Sequence, residues 1–193
     1  MPSRHKPRST TCAVLLLAAL TPASALAHSG HELGTTLMAG LLHPLTGLDH
    51  VLMIVAVSAW AALLAPRARV AVAYCLALFV GLGAIIPVAG GAGLEAAIAV
   101  TVVGAGVLLA LGRRWPLWAM GTLAAVFALV HGFAHGAEGP ARSGTYIAGL
   151  VVATAALALA VSVIAARLVA RPLWLRATGA LSAAAGATAL FAQ

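Results

Sequence analysis

The feature that most constrains this chain is a succession of apolar runs, each close to the length of a membrane crossing. Six of them follow one another, at 34–64, 70–88, 94–111, 117–135, 145–166 and 173–191, each bounded by charge, glycine or proline. Five lie near the ~20 residues that a helix needs to cross ~30 Å of hydrocarbon. The 193 residues are 63% hydrophobic and only 8% charged. A soluble domain carries roughly 25% charged residues, so this chain lacks the polar surface to meet water on all sides. The expectation is an all-α, polytopic membrane protein with six transmembrane helices. Its first run is too long for one straight helix. Pro44 and Gly47 interrupt it, which predicts a short lead-in, a break at His43-Pro44 and a full span beyond the break.

Residues 1–27 read as a separate unit. Arg4, Lys6 and Arg8 make a basic start, an apolar stretch runs from Cys12 to Leu20, and Pro22 breaks it. Ala25-Leu26-Ala27 then has the small-x-small pattern of a signal-peptidase site. A cleaved signal peptide over 1–27 and a six-helix domain over 28–193 are therefore expected. Cleavage would remove Cys12 and leave Cys75 alone, so no disulfide framework is implied. It would also remove Lys6, the only lysine, and without lysine a phosphate-binding G-x-x-x-x-G-K-[ST] loop is excluded. The net charge of +7 comes from basic residues set singly or in pairs, with no basic stripe, so nucleic acid is not an expected partner.

The basic residues instead orient the spans. Arg67 and Arg69 follow the first, Arg113 and Arg114 the third, and Arg167, Arg171 and Arg176 the fifth, whereas the alternate loops hold only Arg142. That bias puts these loops in the cytoplasm and both mature termini in the periplasm of a bacterial inner membrane. The signal peptide independently sends the mature N-terminus outward. Spans five and six are rich in Ala and Gly, the small residues that let helices pack closely where lipid supplies no hydrophobic drive.

Chemistry concentrates on the outer side. The chain has four acidic residues, Glu32, Asp49, Glu95 and Glu138, and all fall in the outer half on this topology. So do His28, His31, His43, His50, His131 and His135; only His5, in the signal, does not. His43-Pro44-Leu45-Thr46-Gly47-Leu48-Asp49-His50 places an acid inside an apolar span, which is costly and marks a cation or proton path. Its interrupted backbone is tolerated at membrane depth where it lines a cavity. His131-Gly132-Phe133-Ala134-His135-Gly136-Ala137-Glu138 sets two imidazoles and a carboxylate at i, i+4 and i+7, on one helix face. His50 and His131 each lie 14 residues from the inner end of their run, roughly 21 Å up. His43 and Glu138 lie 21 residues from the same ends, roughly 31 Å up if helical. The two motifs are thus expected to form ladders of matching depth.

Nitrogen and oxygen donors without cysteine suit Ni²⁺, Co²⁺ and Zn²⁺ and disfavour Cu⁺, and they do not choose among the divalent ions. Met53 is read as packing. Glu95 either favours a helix N-terminus or guides cations. His28, if it becomes the new N-terminus, offers an amine and an imidazole together, and His31 is its neighbour in a capture site outside. The donors are neutral imidazoles, so binding is expected to weaken as pH falls through the histidine range.

At this point the chain resembles the HupE/UreJ family of membrane proteins over nearly its whole length. HPLTGLDH at 43–50 matches H-P-x-x-G-x-D-H, and HGFAHGAEGP at 131–140 matches H-G-x-x-H-G-x-E-x-P. Glu95-Ala96-Ala97-Ile98-Ala99 is similar to a family segment opening span three, and Ser58 departs where Gly is the family residue before Trp60. The resemblance implies nickel or cobalt transport serving hydrogenase or urease maturation, with His43, Asp49, His50, His131, His135 and Glu138 as the metal path. The ion would be substrate, with no prosthetic group, and the protein no enzyme. Its partners would be a divalent metal ion and membrane lipid. Nickel versus cobalt, energy coupling and oligomeric state stay open. Two rivals remain. One is an intramembrane zinc-dependent hydrolase, suggested by His131-x-x-x-His135, with Asp49 to substitute for the general base because Gly132 stands in its place. The other is a b-type haem carrier using His50 and His131. Among polar residues lower in the bundle, Thr101 and Thr122 are candidates to line an exit.

Overall fold

Proline, glycine and hydroxyl side chains punctuate the helices. The computed structural model describes residues 35–138 and 143–192, and these are helical, joined by short turns and loops. Helix α1 (Leu37–Leu42) begins at Thr36, whose Oγ1 accepts the Ala39 N–H at 3.2 Å. One 3-10 turn, His43–Leu45, leads to α2 (Leu48–Ala61). Pro66 and Pro172 sit in the first turns of α3 (Pro66–Ala84) and α7 (Pro172–Phe191), where the missing N–H is no loss and the fixed φ is already helical. Between them, α4 (Ala92–Leu111) ends at Gly112, whose φ of 61° closes the C-terminus in the left-handed conformation. Then α5 covers Leu117–Glu138, and α6 (Gly144–Leu168) is capped by the Ser143 hydroxyl.

Four helices, α3 to α6, are long and apolar enough to cross a membrane, and α1 with α2 makes a fifth if that pair, bent by 75°, is one span. Helix α7 has comparable length, 20 residues, but Arg176 and its many Ala and Gly make it less apolar. Residues 1–34, with the expected signal peptide, His28 and His31, lie outside the described residues, as does Arg142.

Two sequence expectations are corrected. No full span follows the break, because α2 has 14 residues, about 21 Å of helix. The interruption occupies five residues, His43 to Gly47, since Pro44 cannot donate to the preceding turn and Gly47 is extended (φ −97°, ψ 120°). The second long helix is also displaced four residues towards the N-terminus from the apolar run at 70–88. Pro66 starts it early, so Arg67 and Arg69 belong to its first turn and Arg69 Nε donates to Leu64 O at 2.8 Å. Pro87 then disfavours helical backbone just before it, and the helix stops at Ala84.

The helices meet through small residues, as expected for packing without a hydrophobic drive. The most extensive pairings are α4 with α7 and α3 with α5. A Cβ on Gly106 would fall 2.6 Å from Gly179 O, and one on Gly132 would fall 2.7 Å from Gly83 Cα. Gly40 and Gly149 bring α1 against α6 in the same way. Leu76, Ala105, Leu109, Ala124, Ala128 and Leu150 are fully buried, while Leu78, Val100, Val152 and Leu181 are more than half exposed. Exposed apolar side chains on successive helices are what a lipid-facing surface requires and what water would penalise. At the other end, buried Trp60 donates from Nε1 to Arg113 O at 3.0 Å and packs edge-to-face on Trp115. That contact ties the end of α2 to the α4–α5 loop.

Candidate metal centre

The break in the first span is what gathers the donors. Thr46 closes the 3-10 turn twice, its N–H reaching His43 O at 3.0 Å and its hydroxyl donating to the same oxygen at 2.7 Å. A continuous helix would hold His43 and His50 two turns apart, about 10.5 Å along the axis. With the chain bent by 75°, the His43 and His50 ring centroids are 6.3 Å apart. Asp49 falls in the first turn of α2, where the helix dipole favours a carboxylate.

Helix α5 supplies the other side. His131 is fully buried and His135 nearly so, at 4% exposed, one turn apart on the same face. His50 is the hub: its ring lies 4.8 Å from that of His131 and 4.5 Å from that of His135, and His43 lies 4.6 Å from His135. The contact between the two motifs that equal depth suggested is thus present, with His50 against His131 at the deeper level. The glycines that follow each α5 histidine face the C-terminal end of α3: a Cβ on Gly136 would stand 3.2 Å from Gly83 O and 2.7 Å from Ile86 O just beyond it. Gly132 and Gly136 thereby let α3 seat the histidine helix closely.

Asp49 Oδ2 approaches His50 Nδ1 to 3.0 Å, while Nε2 of His50 has no hydrogen-bond partner. The same holds for Nδ1 of His43 and Nδ1 of His131. Buried polar atoms are nearly always paired, and leaving one unpaired costs about 1–3 kcal/mol. Three such nitrogens in one cluster, one from each ring, suit a ligand that accepts lone pairs. Asp49, His50 and His131 each offer one donor atom, and the three lie within 4.8 Å of one another. Two bonds of about 2.1 Å span at most about 4.2 Å, so small side-chain rotations would close all three on one ion.

The remaining candidates fall elsewhere. Glu95 is exposed in the first turn of α4, a position that suits the helix N-terminus, and does not join the donor group. Glu138 ends α5, and its side chain lies outside the described residues. Met53 is fully buried in the apolar core. The single described thiol, Cys75, donates to Gly121 O at 3.4 Å. Thr122 is not a lining residue: it is exposed and its hydroxyl donates to Trp118 O at 2.9 Å. Thr101 is buried, but against His131 rather than below it, with Oγ1 2.9 Å from Nε2. Sequence reasoning also passed over Tyr146, whose ring lies 5.6 Å from that of His43. Nothing in the local pattern separates it from an ordinary interfacial aromatic.

Fold and cluster together define a polytopic helical membrane protein with buried histidines inside its bundle. The family model described as HupE / UreJ protein matches residues 15–189, which include both histidine motifs, and the chain belongs to that family. Protein HupE of Rhizobium leguminosarum bv. viciae is 38% identical over 154 residues, covering 77% of this chain and 78% of that relative. No solved structure matches the chain.

Proposed function

We propose that this protein carries divalent nickel or cobalt from the periplasm to the cytoplasm across the bacterial inner membrane. The observation that carries the reading is the convergence of Asp49, His50 and His131, from two motifs about 80 residues apart in the chain, around unpaired ring nitrogens. The chemistry fits a hard-to-borderline divalent ion: imidazole and carboxylate donors, no thiolate, and negative charge to offset the cost of a cation at membrane depth.

In this reading the signal peptide over 1–27 is removed, the bent α1–α2 pair and α3 to α7 make six crossings, and both mature termini are periplasmic. His28 and His31 capture the ion outside, His43, His135 and Glu138 receive it at the rim, and Asp49, His50 and His131 hold it deeper. Met53, Ile54 and Val57 of α2 beyond the cluster are buried and apolar, so inward release requires the helices to move apart. Supply of the metal to hydrogenase or urease maturation is the corresponding role in the cell. A haem carrier is disfavoured, because the edge-to-face rings of His50 and His131, 4.8 Å apart, leave no room for a macrocycle between them. A hydrolase would have Gly132 in place of the base that its motif sets after the first histidine and would have to use Asp49 instead.

The test is uptake of radioactive nickel and cobalt by cells making the wild type, Asp49→Asn or His131→Ala. Each variant is expected to lose at least about tenfold in uptake, as loss of one ligand or its support does to metal affinity. Equal uptake by all three would sink the proposal.

A further inference from the structure

The Thr101 hydroxyl carries one proton, and two acceptors lie within reach. Oγ1 is 2.7 Å from Ile98 O and 2.9 Å from His131 Nε2. Given to Ile98 O, that proton leaves the lone pairs of Oγ1 facing the imidazole; given to Nε2, it would leave the ring proton on Nδ1. In the first arrangement His131 Nε2 is the protonated nitrogen, donating to Thr101. The other nitrogen, Nδ1, is buried and has no hydrogen-bond partner. A proton there would be an unsatisfied donor in a fully buried ring; a lone pair there is a metal ligand.

We propose that Thr101 is a positioning residue that fixes the tautomer of His131, so that Nδ1 is presented bare to the cation shared with Asp49 and His50. This rests on the transport-site reading above, and it adds a third helix to the site. Helix α4 contributes no ligand, but it sets which nitrogen α5 offers. Metal-bound histidines generally donate their second N–H to a fixed acceptor, which orients the ring and raises its basicity. Thr101 supplies that acceptor without adding a charge at membrane depth. A carboxylate in its place would cost more to bury.

The experiment uses the full-length protein in detergent or nanodiscs, in wild-type, Thr101→Val, Thr101→Ser and Asp49→Asn forms. Nitrogen-15 shifts of the histidine rings, with His131→Gln to identify the resonance, report the tautomer without metal. Visible absorption of bound Co²⁺ reports affinity. Wild-type His131 is expected to be protonated on Nε2. Thr101→Val is expected to mix the tautomers and weaken Co²⁺ binding by about 10- to 100-fold, and Thr101→Ser to keep both readouts at wild-type values. Valine matches threonine in shape, and the serine rescue separates the hydroxyl from any effect on packing. Wild-type His131 protonated on Nδ1, or wild-type affinity in Thr101→Val while Asp49→Asn has lost Co²⁺, overturns the role of Thr101 and leaves the site standing. Wild-type affinity in Asp49→Asn as well overturns the site, and the role of Thr101 with it.

Discussion

Gly47 lies beneath the two donors that follow it in the chain. A Cβ at this position would stand 2.8 Å from His50 Nδ1 and 2.9 Å from Asp49 Oδ1. Its φ of −97° is open to any L-residue, so space rather than backbone freedom is what calls for glycine. The obstructing atoms are the ends of rotatable side chains. The fold therefore tolerates a methyl group while the donor geometry does not. Gly47→Ala is expected to leave the thermal midpoint nearly unchanged and to lower nickel and cobalt uptake about tenfold or more, the scale on which disturbed ligand support acts. Wild-type uptake by a stable Gly47→Ala protein would mean that the donors do not bind the ion from these positions. The donors themselves were legible in the sequence, because histidine and aspartate inside apolar runs are rare and expensive. The supporting residues were not. Gly47, Thr101 and Tyr146 matter through what they face, and a helix that is apolar nearly all round has no polar stripe from which its rotation could be read.

Between elements, the contact that most directly holds the site is α3 against α5. Gly83 and Gly132 bring the two backbones together, and a Cβ on Gly132 would meet Val80 O at 2.5 Å and Gly83 Cα at 2.7 Å. Backbone atoms cannot rotate aside, so the helices themselves must separate. Gly132→Ala is expected to destabilise the protein by about 1–3 kcal/mol, the range for overpacking a close interface. It should also lower uptake, because His131 and His135 flank the displaced residue. Gly121, on the same helix with nothing within 4 Å of its would-be Cβ, is the control. There alanine should be neutral or stabilising by up to about 1 kcal/mol through helix propensity. Thermal unfolding in detergent compares the two, and equal midpoints would refute the packing argument. The existence of these helices and the break in the first span could be inferred from the sequence. Helix ends could not, since an apolar run continues through a turn without change. Pro66 moved one start and Pro87 one stop, and the 14-residue length of α2 depends on how the chain turns after Ala61.

For the whole molecule, the direction of transport depends on which side the donor cluster faces. Arg67, Arg69, Arg113, Arg114, Arg167, Arg171 and Arg176 mark one end of the bundle, with Trp60 and the α4–α5 loop packed there. The α3–α4 loop marks the other end: a Cβ on Gly90 would be in ordinary contact with Ala137, close to the end of α5 that carries His135. A label on that loop therefore reports the side of the cluster. Ala89 and Ala170 are exposed residues of the α3–α4 and α6–α7 connections, and neither substitution removes a basic charge. With Cys75 and Cys12 changed to serine, Ala89→Cys is expected to react with a membrane-impermeant maleimide on intact spheroplasts. Ala170→Cys should react only after permeabilisation, because basic loops are retained in the cytoplasm. The reverse pattern would put the imidazoles on the cytoplasmic side, where they would load ions for export. Inward transport would then fail even if every ligand assignment held. Labelling at both positions from outside would remove the alternation on which six crossings depend, and the count of spans would fall before the chemistry did.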